Sequence, residues 1–203
     1  FEKFIVFDDK KNEKEVSSPL IGAHNRSNVV AAAAAADFMG IPLEQTVEAV
    51  KNFKGIKRRM ELRGEVRGIK VFDDFAHHPT AIQATILGAK RQFVNGQINK
   101  QKNQTKILVV FEPRSNSMKI GAMRDKLAES LKEADQVFVF ESDLNWNIKN
   151  ALSTLNPKPK IHNDLDTLIK EIVTYTETGD IILIMSNGGF GGIHKKILER
   201  LSD

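Results

Sequence analysis

The stretch 69-IKVFDDFAHHPTAIQATILGAK-90 decides how this chain is built. Its first part, continuous with "VRG" before it, reads as a strand or hairpin. Its last part, after Pro79, reads as a helix, because proline suits a first helical turn. Between them stand Asp73, Asp74, Phe75, His77 and His78. A strand that runs through a polar turn straight into a helix is the unit of an α/β fold.

The same alternation continues downstream. "KILVVFEP" is a continuous apolar strand of the kind a buried parallel sheet requires. "KIGAMRDKLAESLKEA" reads as a helix, "DQVFVFE" as a strand, "DLDTLIKEIVTYT" as a helix, "DIILIMS" as a strand and "HKKILERL" as a closing helix. The expectation is a Rossmann-like, mostly parallel sheet flanked by helices. Residues 94–105 are expected to form a polar surface loop.

Upstream the pattern differs. Residues 1–22 read as β structure, 24–39 as an alanine-rich helix, and "GIPLEQTVEAVKNF" as a second helix with Val47, Val50 and Phe53 on one face. Gly40 should end the first helix, and six consecutive alanines should let a neighbouring element come close. "KGIKRRMELRGEV" interrupts the periodicity. The reading divides the chain into 1–60, a small α/β piece, and 61–203, the Rossmann-like domain.

Composition removes several classes. Of 203 residues, none is cysteine, so disulfide scaffolds and thiol nucleophiles are excluded. The net charge of +4 is scattered, and aromatics are only 7 %, which argues against a nucleic-acid face. The longest apolar run, "VVAAAAAADFMG", is too short to span a bilayer. The expected partners therefore include neither nucleic acid nor membrane, and the expected location is the cytoplasm. The opening "FEKFIVFDD", from Phe1 onward, reads as a strand already under way, as in a piece of a longer protein.

In open α/β sheets, ligands bind beyond the carboxyl ends of the strands. "DDFAHHP", "EPRSNS", "ESD" and "SNGGFGG" each follow an expected strand and should share one rim. Each has a bland reading as well. Asp73, Asp74, His77 and His78 have metal-ligand chemistry, but adjacent residues at a strand end point in opposite directions, so no metal is expected there. His77 and His78 lie at a helix start, where capping is the plain reading and a bound anion the functional one. An acid at a strand end can accept hydrogen bonds from ribose hydroxyls. Arg114 offers a fork for carboxylate or phosphate, or a surface ion pair with Glu112. The glycines around Phe190 can make an anion nest, or a turn with Phe190 packed inward. Asn25 and Asn28, three apart on a helix, suit an adenine edge, or simply cap.

Taken together, "GAHNRSN…AAAAA", "GIKRRME", "DDFAHHPTAI" and "EPRSNSMK" resemble the Mur ligase family, in the family's order and over nearly the whole chain. The pairing of the last two resembles the branch that joins a preformed tripeptide, L-alanyl-γ-D-glutamyl-meso-diaminopimelate, to UDP-N-acetylmuramate. The alternatives are the branch that adds L-alanine, and a non-catalytic nucleotide- or peptide-binding module. The resemblance implies an ATP- and Mg2+-dependent amide ligase that works through an acyl phosphate in peptidoglycan recycling. It implies nucleotide contacts from Asn25, Asn28, Arg59, Asp74 (on the ribose) and His77. It implies peptide contacts from Arg114, Ser115, Asn116, Ser186 and Asn187, in a pocket shaped by Gly188, Gly189 and Phe190. Residues 1–60 would be the end of the family's central ATPase domain and 61–203 its C-terminal domain. No "GxxxxGK[ST]" occurs in the sequence. The phosphate cradle and main magnesium ligands are therefore expected upstream of Phe1, in preceding domains of the same polypeptide. No catalytic residue is assigned within the chain, and the chain alone is expected to be inactive.

Overall fold

The computed structural model describes residues 2–7, 13–20, 22–94, 105–141 and 143–203. The loop expected over 94–105 lies almost wholly outside them. Phe1, expected to continue a strand and to stand downstream of the phosphate cradle, also lies outside the described residues, so neither expectation meets a structural observation there. The chain divides into two compact units, residues 1–56 and 57–203.

The first unit pairs β1 (Glu2–Phe7) with β2 (Glu13–Ser18) antiparallel, followed by α1 (Ala23–Phe38) and α2 (Leu43–Lys51). Its small core is Val6, Val16 and Val29, with Leu20, Val47 and Val50 packed against it. Gly40 ends α1 as expected: its φ of +76° lets its own N–H reach the Asp37 carbonyl while Ile41 N–H reaches back to Ala36. Val29 is the one buried residue of α1. The alanines of the run are exposed or half-buried, so the close neighbour expected against them is not among the described residues of this unit.

The second unit is a six-stranded sheet in the order β3 (Glu61–Val66), β4 (Ile69–Asp74), β8 (Ile181–Met185), β5 (Ile107–Phe111), β6 (Gln136–Phe140), β7 (Lys160–His162). β3 and β4 form an antiparallel hairpin, and all other pairs are parallel. The helices are α3 (Pro79–Ala89, continued by a π turn over Lys90–Val94), α4 (Asn116–Lys119), α5 (Arg124–Leu131), α6 (Ile148–Ala151), α7 (Leu165–Tyr175) and α8 (Ile193–Ser202). The sequence pattern runs one helix over residues 119–134, through the turn that separates α4 from α5. Gly121, at φ +78°, breaks them apart and presents a bare backbone to the Trp146 ring. The pattern also misses β7 and α6.

Strand alternation builds two cores from one sheet. Phe72, Val109, Phe111, Leu183 and Met185 face α3 and α5. Ile69, Val71, Val110, Ile182 and Ile184 face α7 and α8. This alternation runs to the end of β4, so Asp73 continues the Ile69–Val71 row and Asp74 the Phe72 row. No described helix is long and apolar enough to cross a membrane.

Candidate functional site

The four polar stretches after β4, β5, β6 and β8 belong to the second unit, at the carboxyl ends of its parallel strands. Asp74 is 3 % exposed. One carboxylate oxygen accepts from Met60 N–H at 2.8 Å; the other accepts from Ala76 N–H at 2.8 Å and from the Thr85 hydroxyl at 3.4 Å. Burial pushes its pKa up, against those donors and the nearby Arg59 charge. The ribose contact expected of Asp74 is a role beside this structural one. Its oxygens already serve the protein, tying residue 60 to the turn after β4.

Asp73 turns to the other face. Burial raises its pKa, but His194, Arg58 and Arg63 more than offset this and hold it below the usual carboxylate value. Adjacent acids pointing apart cannot share an ion. Among the described residues no three His, Asp or Glu side chains group as a metal site.

His77 and His78 have separate roles. His77 Nδ1 lies 2.9 Å from the Phe75 carbonyl, which can only accept, so Nδ1 is the donor. The His77 ring stands edge-on to Phe75. His78 caps α3, with Nδ1 accepting from Thr80 N–H at 3.4 Å ahead of Pro79. Arg59 is exposed, with its guanidinium 5.8 Å from the Phe75 ring centre and no ion pair among the described residues. Arg58, to which the sequence pattern assigns no role, has φ +59° and donates to the carbonyls of Ser186 and of Gly188 (2.8 Å for the latter).

Around the glycine-rich loop, Ser186 is 1 % exposed. Its hydroxyl donates to Glu112 and accepts from Gly188 N–H at 2.9 Å. Ser186 thus builds the loop, and the expected peptide contact lies beside that role. Phe190, expected to shape the pocket or to pack inward, packs inward. It is 2 % exposed in the α7–α8 core, its ring 5.8 Å from that of Phe140. Asn187 is half-buried, and its buried Oδ1 has no hydrogen-bond partner among the described residues. Gly189 is exposed.

Arg114 is exposed and lies flat across Gly188, where a Cβ would sit 2.5 Å from Nη1. Glu112 is engaged by Ser186, and Arg114 has no ion pair among the described residues. Ser115 caps α4 by accepting from Met118 N–H at 3.3 Å, which leaves Asn116 exposed at the start of that helix. Trp146, also missed, donates to the Met118 carbonyl at 2.6 Å and so braces α4 from the loop after β6. The only signal for it in the sequence is that it is the one tryptophan.

Within the first unit, Asn25 and Asn28 line a cavity of about 350 Å3 whose other walls include Leu20, Val29, Val50 and Phe53. Asn28 Nδ2 lies 3.4 Å from Asn25 Oδ1. Apolar walls with two adjacent amides suit a flat heterocycle, and the volume is that of a small-ligand site.

The model of the Mur ligase glutamate ligase domain matches residues 58–188. The chain belongs to the Mur ligase family. Among its relatives is a UDP-N-acetylmuramate–L-alanyl-γ-D-glutamyl-meso-2,6-diaminoheptandioate ligase from Escherichia coli, 43 % identical over 96 % of this chain and 41 % of that protein. A solved murein peptide ligase from Psychrobacter arcticus is 40 % identical, with a TM-score of 0.68 over 97 % of this chain and 40 % of the other. A UDP-N-acetylmuramate–alanine ligase from Thermotoga maritima is 27 % identical, with a TM-score of 0.79 over 98 % of this chain and 42 % of the other. The chain thus spans about two fifths of the length of the curated relatives it matches.

Proposed function

We propose that this chain is the nucleotide- and peptide-contacting part of an ATP-dependent amide ligase, acting in the cytoplasm on UDP-N-acetylmuramate and the tripeptide L-alanyl-γ-D-glutamyl-meso-diaminopimelate. The single observation that carries the reading is Arg114. An exposed guanidinium, free of any ion pair among the described residues and flattened over a glycine, is built to receive a carboxylate. The substrate of the Escherichia coli relative is named for a peptide rich in carboxylates.

In the proposed reaction a carboxylate oxygen attacks the γ-phosphorus of ATP and ADP leaves. The peptide amine then attacks the acyl carbon, phosphate leaves, and the nitrogen gives up a proton. Asn25 and Asn28 would hold the adenine in the apolar cavity. Arg59, Asp74 and His77 would meet the nucleotide, Asp74 at the ribose. Arg114, Asn116 and Asn187, over Gly188 and Gly189, would hold the peptide, with Ser115 fixing Asn116 through its cap. Magnesium would offset phosphate charge when bound, and we place its ligands with the phosphate cradle, upstream of Phe1 and outside these residues.

Steady-state kinetics of the full-length polypeptide test this. Arg114→Lys keeps the charge but loses the fork, so tripeptide efficiency should fall by on the order of a hundredfold while the KM for ATP holds. Wild-type efficiency would remove Arg114 from the site. The higher TM-score to the alanine ligase favours a second reading, addition of L-alanine, which a panel of amine substrates separates.

A further inference from the structure

Three side chains from three separate parts of the second unit meet beneath the glycine-rich loop, and none of them is given a ligand contact above. Arg58 comes from the entry to the unit, Asp73 from the end of β4, and His194 from the first turn of α8. Arg58 Nε lies 3.5 Å from one Asp73 oxygen, and His194 Nε2 lies 3.2 Å from the other. The side chains of Asp73 and His194 are 6 % and 13 % exposed. The two atoms approach as a close polar pair without hydrogen-bond geometry: Asp73 Oδ1 and His194 Nε2 are both buried and have no other partner among the described residues, so each is the other's polar neighbour. The far end of the Arg58 guanidinium forks to the carbonyls of Ser186 and Gly188. The loop itself needs holding, because Phe190, Gly191 and Gly192 all have positive φ, at 44°, 56° and 71°. For a phenylalanine that conformation is strained.

We propose that Arg58, Asp73 and His194 are positioning residues for peptide recognition. Asp73 orients Arg58 and anchors the start of α8 through His194, so the loop between them is gripped at both ends. Arg58 fixes the Gly188 carbonyl, and the bare Cα of Gly188 is the surface over which Arg114 lies. The chain of contact runs from His194 through Asp73, Arg58 and Gly188 to the Arg114 fork. This inference rests on the assignment of Arg114 to the peptide.

The test uses the full-length polypeptide with His194→Leu and His194→Gln, since glutamine restores a polar neighbour at about the same reach. The leucine variant should raise the KM for tripeptide about tenfold, as expected when a buried carboxylate oxygen loses its polar neighbour, with the KM for ATP unchanged. The glutamine variant should recover most of this. Hydrogen exchange of the Asn187–Gly192 amides should quicken in the leucine variant while that of β5 does not. Unchanged exchange, equal movement of both KM values, or failure of glutamine to rescue would each overturn the proposal. Arg114→Lys run alongside keeps the two ideas apart. If it also leaves the tripeptide KM untouched, the peptide assignment has failed, and the exchange data still decide whether His194 holds the loop.

Discussion

The two faces of the sheet at the end of β4 make a controlled comparison, because Asp73 and Asp74 are covalent neighbours of the same type, both nearly inaccessible. Toward α3, Asp74 meets neutral donors: two backbone N–H groups and a hydroxyl. Toward α8, Asp73 meets a guanidinium and an imidazole. The first carboxyl is pushed up and the second held down. Burial sets the penalty for charging, and the partner's charge decides whether the penalty prevails. The Asp74 face ties backbone to backbone; the Asp73 face ties side chain to loop.

The widest separation between the faces should come from alanine substitution. Asp74→Ala strands two backbone donors beside a buried space, so urea unfolding should show a loss of about 3 kcal/mol. Asp73→Ala should cost less, about 1.5 kcal/mol, because Arg58 keeps its two carbonyl acceptors. Equal losses would mean that the two acids do the same structural job.

A pH series sharpens the contrast through opposite signs. A lowered pKa adds stability that is present above the unfolded value and lost as the pH falls through the folded one. The stability gap between wild type and Asp73→Asn should therefore be full near neutrality and close below the usual carboxylate range. Asp74, raised, binds its proton more tightly in the folded state than in the unfolded chain. Relative to Asp74→Asn, wild type should lose stability as the pH rises from the ordinary carboxylate value to that of Asp74 itself. Urea midpoints from about pH 2 to 7 read both slopes, and parallel slopes would sink the assignment.

The smallest effect on stability should be that of Arg59→Ala. Its head is exposed with no ion pair among the described residues, so unfolding should shift by under about 0.5 kcal/mol. The same variant should still raise the KM for ATP in the full-length polypeptide. A large loss of stability would make Arg59 a partner of Asp74 rather than a ligand contact.

Sequence pattern reaches the sheet because apolar runs such as "ILVVF" and "IILIM" admit little else between turn signals. It reaches the divergence of Asp73 and Asp74 because strand side chains alternate. It also allows the cap at His78 and the inward turn of Phe190, as one of two readings each. What it cannot reach is the division of labour within "KRRME". Arg58 and Arg59 are chemically identical, and only the positive φ of Arg58 sends one guanidinium under the loop and leaves the other outside. His194 is equally hidden, because a histidine at a helix start looks like a surface residue until its acid, 121 positions earlier in the chain, is seen beside it. Ser186 reads as a contact because it lies on the rim; that its hydroxyl faces inward is set by Glu112, a long-range fact.

β8 lies between β4 and β5, though it is the last strand of the chain to be made. Until residues 181–185 arrive, β4 and β5 have no shared partner, and the carbonyls that Arg58 grips do not yet exist. The rim must therefore assemble late, after nearly the whole unit has been synthesised, and its closing step joins segments more than 70 residues apart in sequence. Such long-range closure slows folding relative to local contacts. It also makes the ribosome-bound chain a half-sheet with two open edges, the state in which a chaperone would find the most exposed strand to hold.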